Sequence, residues 1–284
     1  LFLLCERQVI PLEELREFSS ATIKALVSRN MAEMIVKEVE PDAEQAVFTP
    51  DQPPALMPEQ SAAVRTISRA AASETFEVFL LHGVTGSGKT EVYLHCIAAL
   101  AGTGKGAIVL VPEIALTPQL LGRFRRRFGS RVAVLHSGLT DRERADEYRR
   151  ISGGLVDVAI GARSAVFAPF PKLGLVVVDE EHENSYKQDD GLRYHARDVA
   201  VMRAKFLNAT CVLGSATPSL ESYYNARSRK YRYLRIANRV DHRPLPEVSL
   251  IDMRSPPKEF VYSPALIAAV HRRQERKEQA LLLL

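Results

Sequence analysis

The sequence predicts an α/β fold on a mostly parallel sheet, preceded by a small helix-rich unit. Three observations predict it. From about residue 57, short apolar runs ("VFLLHG", "GAIVLVP", "VAVLHS", "VDVAIGA", "LGLVVVDE", "ATCVLGSA") alternate with helical stretches. The runs are apolar at nearly every position rather than every second one, as in parallel strands covered on both faces. The sharpest polar segments directly follow these runs, which gathers them at the C-terminal edge of the sheet, where open α/β folds hold ligands.

Taken in order, residues 1–49 read as a unit of their own. "PLEELREF" is a short helix, "SSATIKALVSRNMA" a second with Ser19 or Ser20 as its N-cap, and "EMIVKEVEP" a charged, β-branched strand. Helix, helix, strand is the outline of a winged-helix unit, which would either read DNA or serve as a packing spacer. The proline-rich residues 50–56 form a linker. The α/β region runs over 57–235, with helices expected after Thr90, Thr117, Thr140, Arg193 and Ser219. Over 236–284, "NRVDHRPLPEVSLIDMR" has the texture of a linker with one strand. The helix "PALIAAVHRRQERKEQ" then leads into an unfinished strand, and both ends are expected to be cut from a longer chain.

Among 284 residues, 46% are hydrophobic and 25% charged, an ordinary globular balance. The formal charge of +4 suits a polyanionic partner or simply a solvated basic surface. Cys5, Cys96 and Cys211 are too scattered for a zinc site or a disulfide framework, and they point to a reducing cytoplasm. The apolar runs are of strand length, well short of the roughly 20 residues that cross a bilayer, so no membrane partner is expected. "LFLLCERQVI" lacks the basic leader of a signal peptide.

"GVTGSGKT", Gly83 to Thr90, fits G-x-x-x-x-G-K-[ST] between an apolar strand and a helix. Gly83, Thr85, Gly86, Ser87 and Gly88 would turn backbone N–H groups and a helix N-terminus toward phosphate oxygens. Lys89 reaches the β and γ phosphates, and the Thr90 hydroxyl ligates Mg2+. "LVVVDEEH" supplies Asp179 at the end of a buried strand to hold Mg2+, directly or through water, and Glu180 to polarise the attacking water. His182 is either a surface histidine or a relay of nucleotide state to a neighbouring loop.

The strings "LLHGVTGSGKTEVY", "VPEIALTPQ", "LHSGLTDRER", "GARSAVFAPF", "VVVDEEHENSYKQDDGLRYHARDVAVMRA" and "LGSATPSLES" occur in that order. Together they resemble the first motor lobe of superfamily-two helicases, and within them the bacterial replication-restart helicases, the primosomal protein N-prime family. The resemblance implies a RecA-like P-loop NTPase lobe and an ATP-dependent DNA helicase. It further implies three-prime to five-prime translocation on single-stranded and forked DNA, and initiation of primosome assembly. Single-strand binding protein and the helicase loader are its implied partners. In that family a second lobe, interrupted by a cysteine-rich zinc module, follows the first, so zinc is expected only in a C-terminal part absent here. The chain alone is accordingly expected to bind nucleotide, hydrolyse it slowly and unwind nothing. The same motor could instead serve a double-strand translocase without unwinding, or an assembly factor with a vestigial ATPase.

Carried over by position, Gln60 matches a glutamine that contacts adenine, although it could equally be an exposed helix residue. Ser215, Ala216 and Thr217 match a motif coupling hydrolysis to DNA movement, and their hydroxyls could bond the acidic loop or cap a helix. Thr117, Arg163 and Ser164 sit in loops that the resemblance assigns to single-strand contact; otherwise they are ordinary loops at the sheet edge, with Phe167 and Phe170 behind. The segment with Tyr186, Lys187, Arg193, Tyr194, His195 and Arg197 interleaves aromatic and basic groups, which suits base stacking and backbone contact. In the related helicases such a loop senses single-stranded DNA; here it is that sensor or a packed loop with Tyr194 in the core. Leu192 departs from the aromatic residue common there. The arginines of "RFRRRFGSR" cannot share one helix face, and they add only general positive charge.

Overall fold

A computed structural model describes residues 18, 20–29, 31–34, 52–241, 248–253 and 262–282. Of the leading unit, only the second anticipated helix is described, α1 (Ser20–Ser28). Its first helix and most of its strand lie outside the described residues, as does the "RPLPE" part of the anticipated C-terminal linker.

The α/β region begins with α2 (Pro58–Ala72), then β1 (Glu77–Gly83), α3 (Lys89–Ala98), β2 (Gly106–Leu110), α4 (Pro118–Phe128) and β3 (Val132–Leu135). It continues through α5 (Asp141–Ser152), β4 (Val158–Gly161), β5 (Leu173–Val178), β6 (Lys187–Gln188), β7 (Tyr194–His195), α6 (Ala196–Phe206), β8 (Thr210–Ser215), α7 (Leu220–Arg227) and β9 (Arg232–Ile236). After a gap, α8 (Pro264–Glu275) starts where Ser263 Oγ accepts from Leu266 N at 3.0 Å.

Seven strands form one parallel sheet in the order β3-β4-β2-β5-β8-β1-β9, while β6 and β7 pair as a separate antiparallel hairpin. This is the RecA-like P-loop lobe anticipated from the sequence. Successive strand side chains point to opposite faces. Phe79, Leu81, Val109, Val177 and Val212 therefore share one core with Ile67 of α2, Ile97 of α3 and Phe124 of α4. Leu80, Leu110, Val178 and Leu213 share the other with Ile151 of α5, Ala200 of α6 and Ala226 of α7. Each fully buried Leu, Ile, Val or Phe contributes about 1.5–3 kcal/mol. Ala196, Ala200 and Ala204 are all buried and spaced by one helix turn, so α6 presents a smooth face to the sheet.

The strand order decides where the motifs meet. Because β5, β8 and β1 are neighbours, the acidic loop, the Ser215–Thr217 loop and the phosphate loop emerge side by side. Because β4 adjoins β2, the loops carrying Arg163 and Thr117 emerge together beyond them. Caps fall where the hydroxyl residues predicted them: Thr117, Thr140 and Ser219 accept from Leu120 N, Glu143 N and Ser222 N.

Several parts differ from expectation: α8 ends at Glu275, four residues short of the anticipated helix, and the described residues 248–253 and 278–282 hold no strand. β9, at one edge of the sheet, gives no strand signal because, unlike the fully buried edge strand β3, it is largely exposed and carries Arg232 and Arg235 among apolar residues. The helix expected directly after Arg193 starts at Ala196, because Tyr194 and His195 pair with Gln188 and Lys187 first.

Candidate functional site

β1 ends at Gly83, and the loop to α3 turns through Gly86 and Gly88 at φ 80° and 76°. A Cβ at Gly88 would lie 2.4 Å from Gln60 Nε2, so this point of the loop must be bare backbone. Gln60 is buried rather than an exposed helix residue, which overturns that alternative. Its Nε2 donates to Ser87 O and its Oε1 accepts from Met57 N, both at 2.8 Å. The amide thus supports the phosphate loop from behind. Lys89 Nζ donates to Gly83 O at 3.1 Å and lies 3.4 Å from Glu180 Oε1. Thr85 and Gly86 are exposed, Thr90 is half-buried in the first turn of α3, and Ser87 Oγ is buried without a partner.

Asp179 follows β5, its Oδ1 accepting from the Tyr93 hydroxyl at 2.9 Å. Burial, with the Glu180 charge adding, pushes its carboxyl up to about 6, against the Tyr93 hydrogen bond and Lys89. Tyr93 is buried on α3 beside this carboxylate, and the same burial holds its phenol well above its ordinary range. Glu180 sits at φ 44°, a left-handed backbone uncommon for a residue with a side chain. That turn lets its carboxylate face Lys89 on one side and His182 Nδ1, 3.7 Å away, on the other. His182 Nδ1 pairs with Ser215 Oγ at 2.8 Å, and Nε2 reaches Thr217 Oγ1 at 3.4 Å. Ser215 Oγ also accepts from Thr217 N at 2.9 Å across the half-buried Ala216. The hydroxyls therefore bond the acidic loop, and the helix cap is Ser219 instead.

On the far side of the acidic loop, the β6–β7 hairpin carries the aromatic and basic residues. Lys187 and Arg193 are exposed, Lys187 pairing with Asp189 at 2.9 Å. Tyr194 is half-buried, edge-on to the exposed Phe167 at 5.3 Å between ring centroids. Arg163 Nη1 donates to Lys187 O at 2.5 Å, joining the hairpin to the loop after β4. A cleft of about 440 Å3 opens there, lined by Glu113, Arg144, Arg163, Ser164, Gln188 and Tyr194, among others. Thr117 caps α4 at the end of the loop that also holds Glu113, and it does not line the cleft.

Tyr186 and Arg197, both expected to touch nucleic acid, bond instead into the acidic loop. Tyr186 is buried, its hydroxyl donating to Asp179 O at 2.6 Å, so its ring is no stacking surface. Arg197 Nη1 donates to Glu181 Oε2 at 3.1 Å and to Ser219 Oγ at 2.9 Å, which commits its guanidinium inward. Within the arginine-rich stretch, Arg127 pairs with Glu91 and Arg131 with Asp157, leaving less free positive charge than the sequence suggested.

A family model described as DEAD/DEAH box helicase matches residues 57–226. The chain belongs to the DEAD/DEAH box helicase family. It is 48% identical to the replication restart protein PriA of Bacillus subtilis, over 97% of this chain and 35% of that protein. It is 46% identical to the replication restart protein PriA of Chlamydia trachomatis, over 94% of this chain and 36% of that protein. The chain therefore spans about a third of the length of these curated relatives. The solved structure of RecG bound to a three-way DNA junction aligns at a TM-score of 0.48 and 26% identity, over 66% of this chain and 24% of that one.

Membership of this helicase family, together with the phosphate loop, implies the use of ATP and Mg2+. The residues fit that pair. The bare-backbone turn at Gly86 and Gly88, the orphaned Ser87 Oγ and an ammonium held only by a carbonyl and one carboxylate suit a polyphosphate. A buried carboxylate with a raised proton affinity suits a divalent cation that would replace the proton. Among the described residues, no helix is long and apolar enough to cross a membrane.

Three side chains that the motifs do not single out shape these loops. Tyr93 lies one helix turn after Lys89, a spacing that places both on one face, and this signal was available. Glu59 accepts from Ala237 N at 2.8 Å and from Asn238 Nδ2 at 3.2 Å, holding the chain after β9 beside the phosphate loop. Val240 N then donates to Gly86 O at 3.0 Å. Glu181 is wholly buried, although it is the last of three consecutive acids in "DEEH" and nothing in the sequence separates it from Glu180.

Proposed function

We propose that this chain is the ATP-binding lobe of an ATP-dependent DNA helicase of replication restart. In this reading the protein engages single-stranded and forked DNA, translocates three-prime to five-prime and initiates primosome assembly with single-strand binding protein and the helicase loader. The observation that carries the reading is the continuity of contacts from Lys89 through Glu180 and His182 to Ser215 and Thr217, with Tyr186 bonding Asp179 from the hairpin side.

The chemistry follows from these residues. Gly83, Thr85, Gly86, Ser87, Gly88 and Lys89 bind the ATP phosphates, with Gln60 bracing the loop and meeting the adenine only by releasing Met57 or Ser87. Thr90 and Asp179 would hold Mg2+, which would supply neutralisation of the phosphate charge. Lys89 exchanges Glu180 for the phosphates. Glu180 is then free to accept a proton from the attacking water. His182 carries the change to Ser215, Ala216 and Thr217. Thr117, Arg163, Ser164, Lys187, Arg193 and Tyr194 line the nucleic-acid side, the cations on the backbone and Tyr194 under a base. Opening a duplex step costs about 1.4 kcal/mol in stacking, within reach of one ATP.

The test is a forked-duplex unwinding assay on the full-length protein beside its Lys89→Ala variant. ATP-dependent strand separation that the variant lacks supports the reading. DNA binding without separation, in ATP and at any loading, contradicts it.

A further inference from the structure

The acidic loop carries one charge that the mechanism above does not use. Glu181 has no solvent exposure, and its carboxylate accepts from Ser219 N at 2.7 Å, Ser219 Oγ at 3.0 Å, Ser222 Oγ at 2.8 Å and Arg197 Nη1 at 3.1 Å. Arg197 Nη1 also donates to Ser219 Oγ at 2.9 Å. A buried carboxylate is costly unless paired and fully hydrogen-bonded, and this one is both. Capping α7 does not require it, because Ser219 Oγ already accepts from Ser222 N.

The charge instead joins three elements. It lies between Glu180 and His182 in the acidic loop. Its serine partners open α7, directly after the Ser215–Thr217 loop that bonds His182. Its arginine partner stands in the first turn of α6, two residues beyond the end of β7. The hairpin is thus tied to the acidic loop at both ends. The entering end is held by Tyr186 on Asp179 O, the leaving end by Arg197 on Glu181.

We propose that Glu181 is a positioning residue which, with Arg197, ties the aromatic and basic hairpin to the Ser215–Thr217 loop. A nucleic-acid strand seated on the hairpin shifts Arg197, and Glu181 passes that shift to Ser219 and the loop holding His182. The inference rests on the motor reading above. Its signature is specific: loss of the pair uncouples DNA from turnover without weakening nucleotide binding.

The experiment measures ATP turnover of the full-length protein with and without saturating oligothymidine, nucleotide affinity with a fluorescent ATP analogue, DNA affinity by anisotropy, and thermal melting. The variants are Glu181→Gln, Arg197→Lys, their double and Ser222→Ala. Glu181→Gln is expected to keep basal turnover and both affinities within about threefold while lowering DNA-stimulated turnover about tenfold or more. The double variant should be no worse than the worse single, as for two residues acting as one unit. Ser222→Ala, which keeps the charge pair, should lower stimulation about threefold, and it decides the matter with Arg197→Lys if Glu181→Gln does not fold. Full stimulation in the folded variants, or basal and stimulated turnover falling by one common factor, overturns the assignment. If the unsubstituted protein shows basal turnover without any DNA stimulation, the motor reading itself falls, and the coupling role with it.

Discussion

Asp179 shows how one side chain can oppose stability and serve a site. Its carboxyl is buried and pushed up to about 6, so the folded chain holds that proton more tightly than the unfolded chain does. The folded state is therefore unpenalised below about pH 4 and progressively penalised as pH rises through about 6. Without nucleotide or Mg2+, Asp179→Asn is expected to raise stability at pH 7.5 by about 1–3 kcal/mol, with the gain vanishing toward pH 4. Thermal melts across that range read this directly, and a pH-independent effect would contradict it. Gly214 makes a second prediction, because a Cβ there would fall 1.7 Å from the Tyr93 hydroxyl that holds Asp179. Gly214→Ala is expected to cost about 1–3 kcal/mol or more, partly recovered when Tyr93→Phe removes the clashing oxygen. Denaturant melts of the single and double variants measure that recovery. The places of Lys89, Asp179 and Glu180 were legible in the sequence, because a glycine loop between strand and helix and acids at the end of an apolar run are local patterns. The burial of Glu181 was not, since the groups that enclose and pair its carboxylate come from α6 and the start of α7, elsewhere in the chain.

At the scale of elements, six of the seven sheet strands announced themselves by uninterrupted apolar runs, because a doubly covered strand has no polar face to show. β9 and the β6–β7 hairpin did not. β9 leaves Arg232, Tyr233 and Arg235 exposed, and the hairpin strands are only two residues long, so neither leaves an apolar run. The hairpin is nevertheless where nucleic acid is expected to be sensed. Tyr194 is packed edge-on by Phe167 rather than lost in the core, so Tyr194→Ala should weaken single-strand binding by about 1–3 kcal/mol. Tyr186→Phe should leave DNA affinity nearly unchanged, since the ring is buried and only its hydroxyl contact with Asp179 is removed. Anisotropy titrations of both variants test this division; equal losses would show that the hairpin does not divide that way.

For the whole molecule, the order β5-β8-β1 brings the nucleotide side together, and β4-β2 places the cleft with Arg163 and Tyr194 on the other flank. With the proposed contacts through Lys187, Arg193 and Arg163, DNA affinity is expected to fall steeply as salt rises. Taken alone, the 284-residue chain is expected to bind nucleotide yet turn it over slowly, because it spans about a third of its relatives. The central claim, that one chain of contacts joins nucleotide to nucleic acid, is tested most directly by ATP hydrolysis of the full-length protein with and without single-stranded DNA, beside Lys89→Ala. The account predicts turnover that DNA raises and the substitution abolishes. DNA binding with no turnover in either protein would contradict it and leave the phosphate loop a vestige.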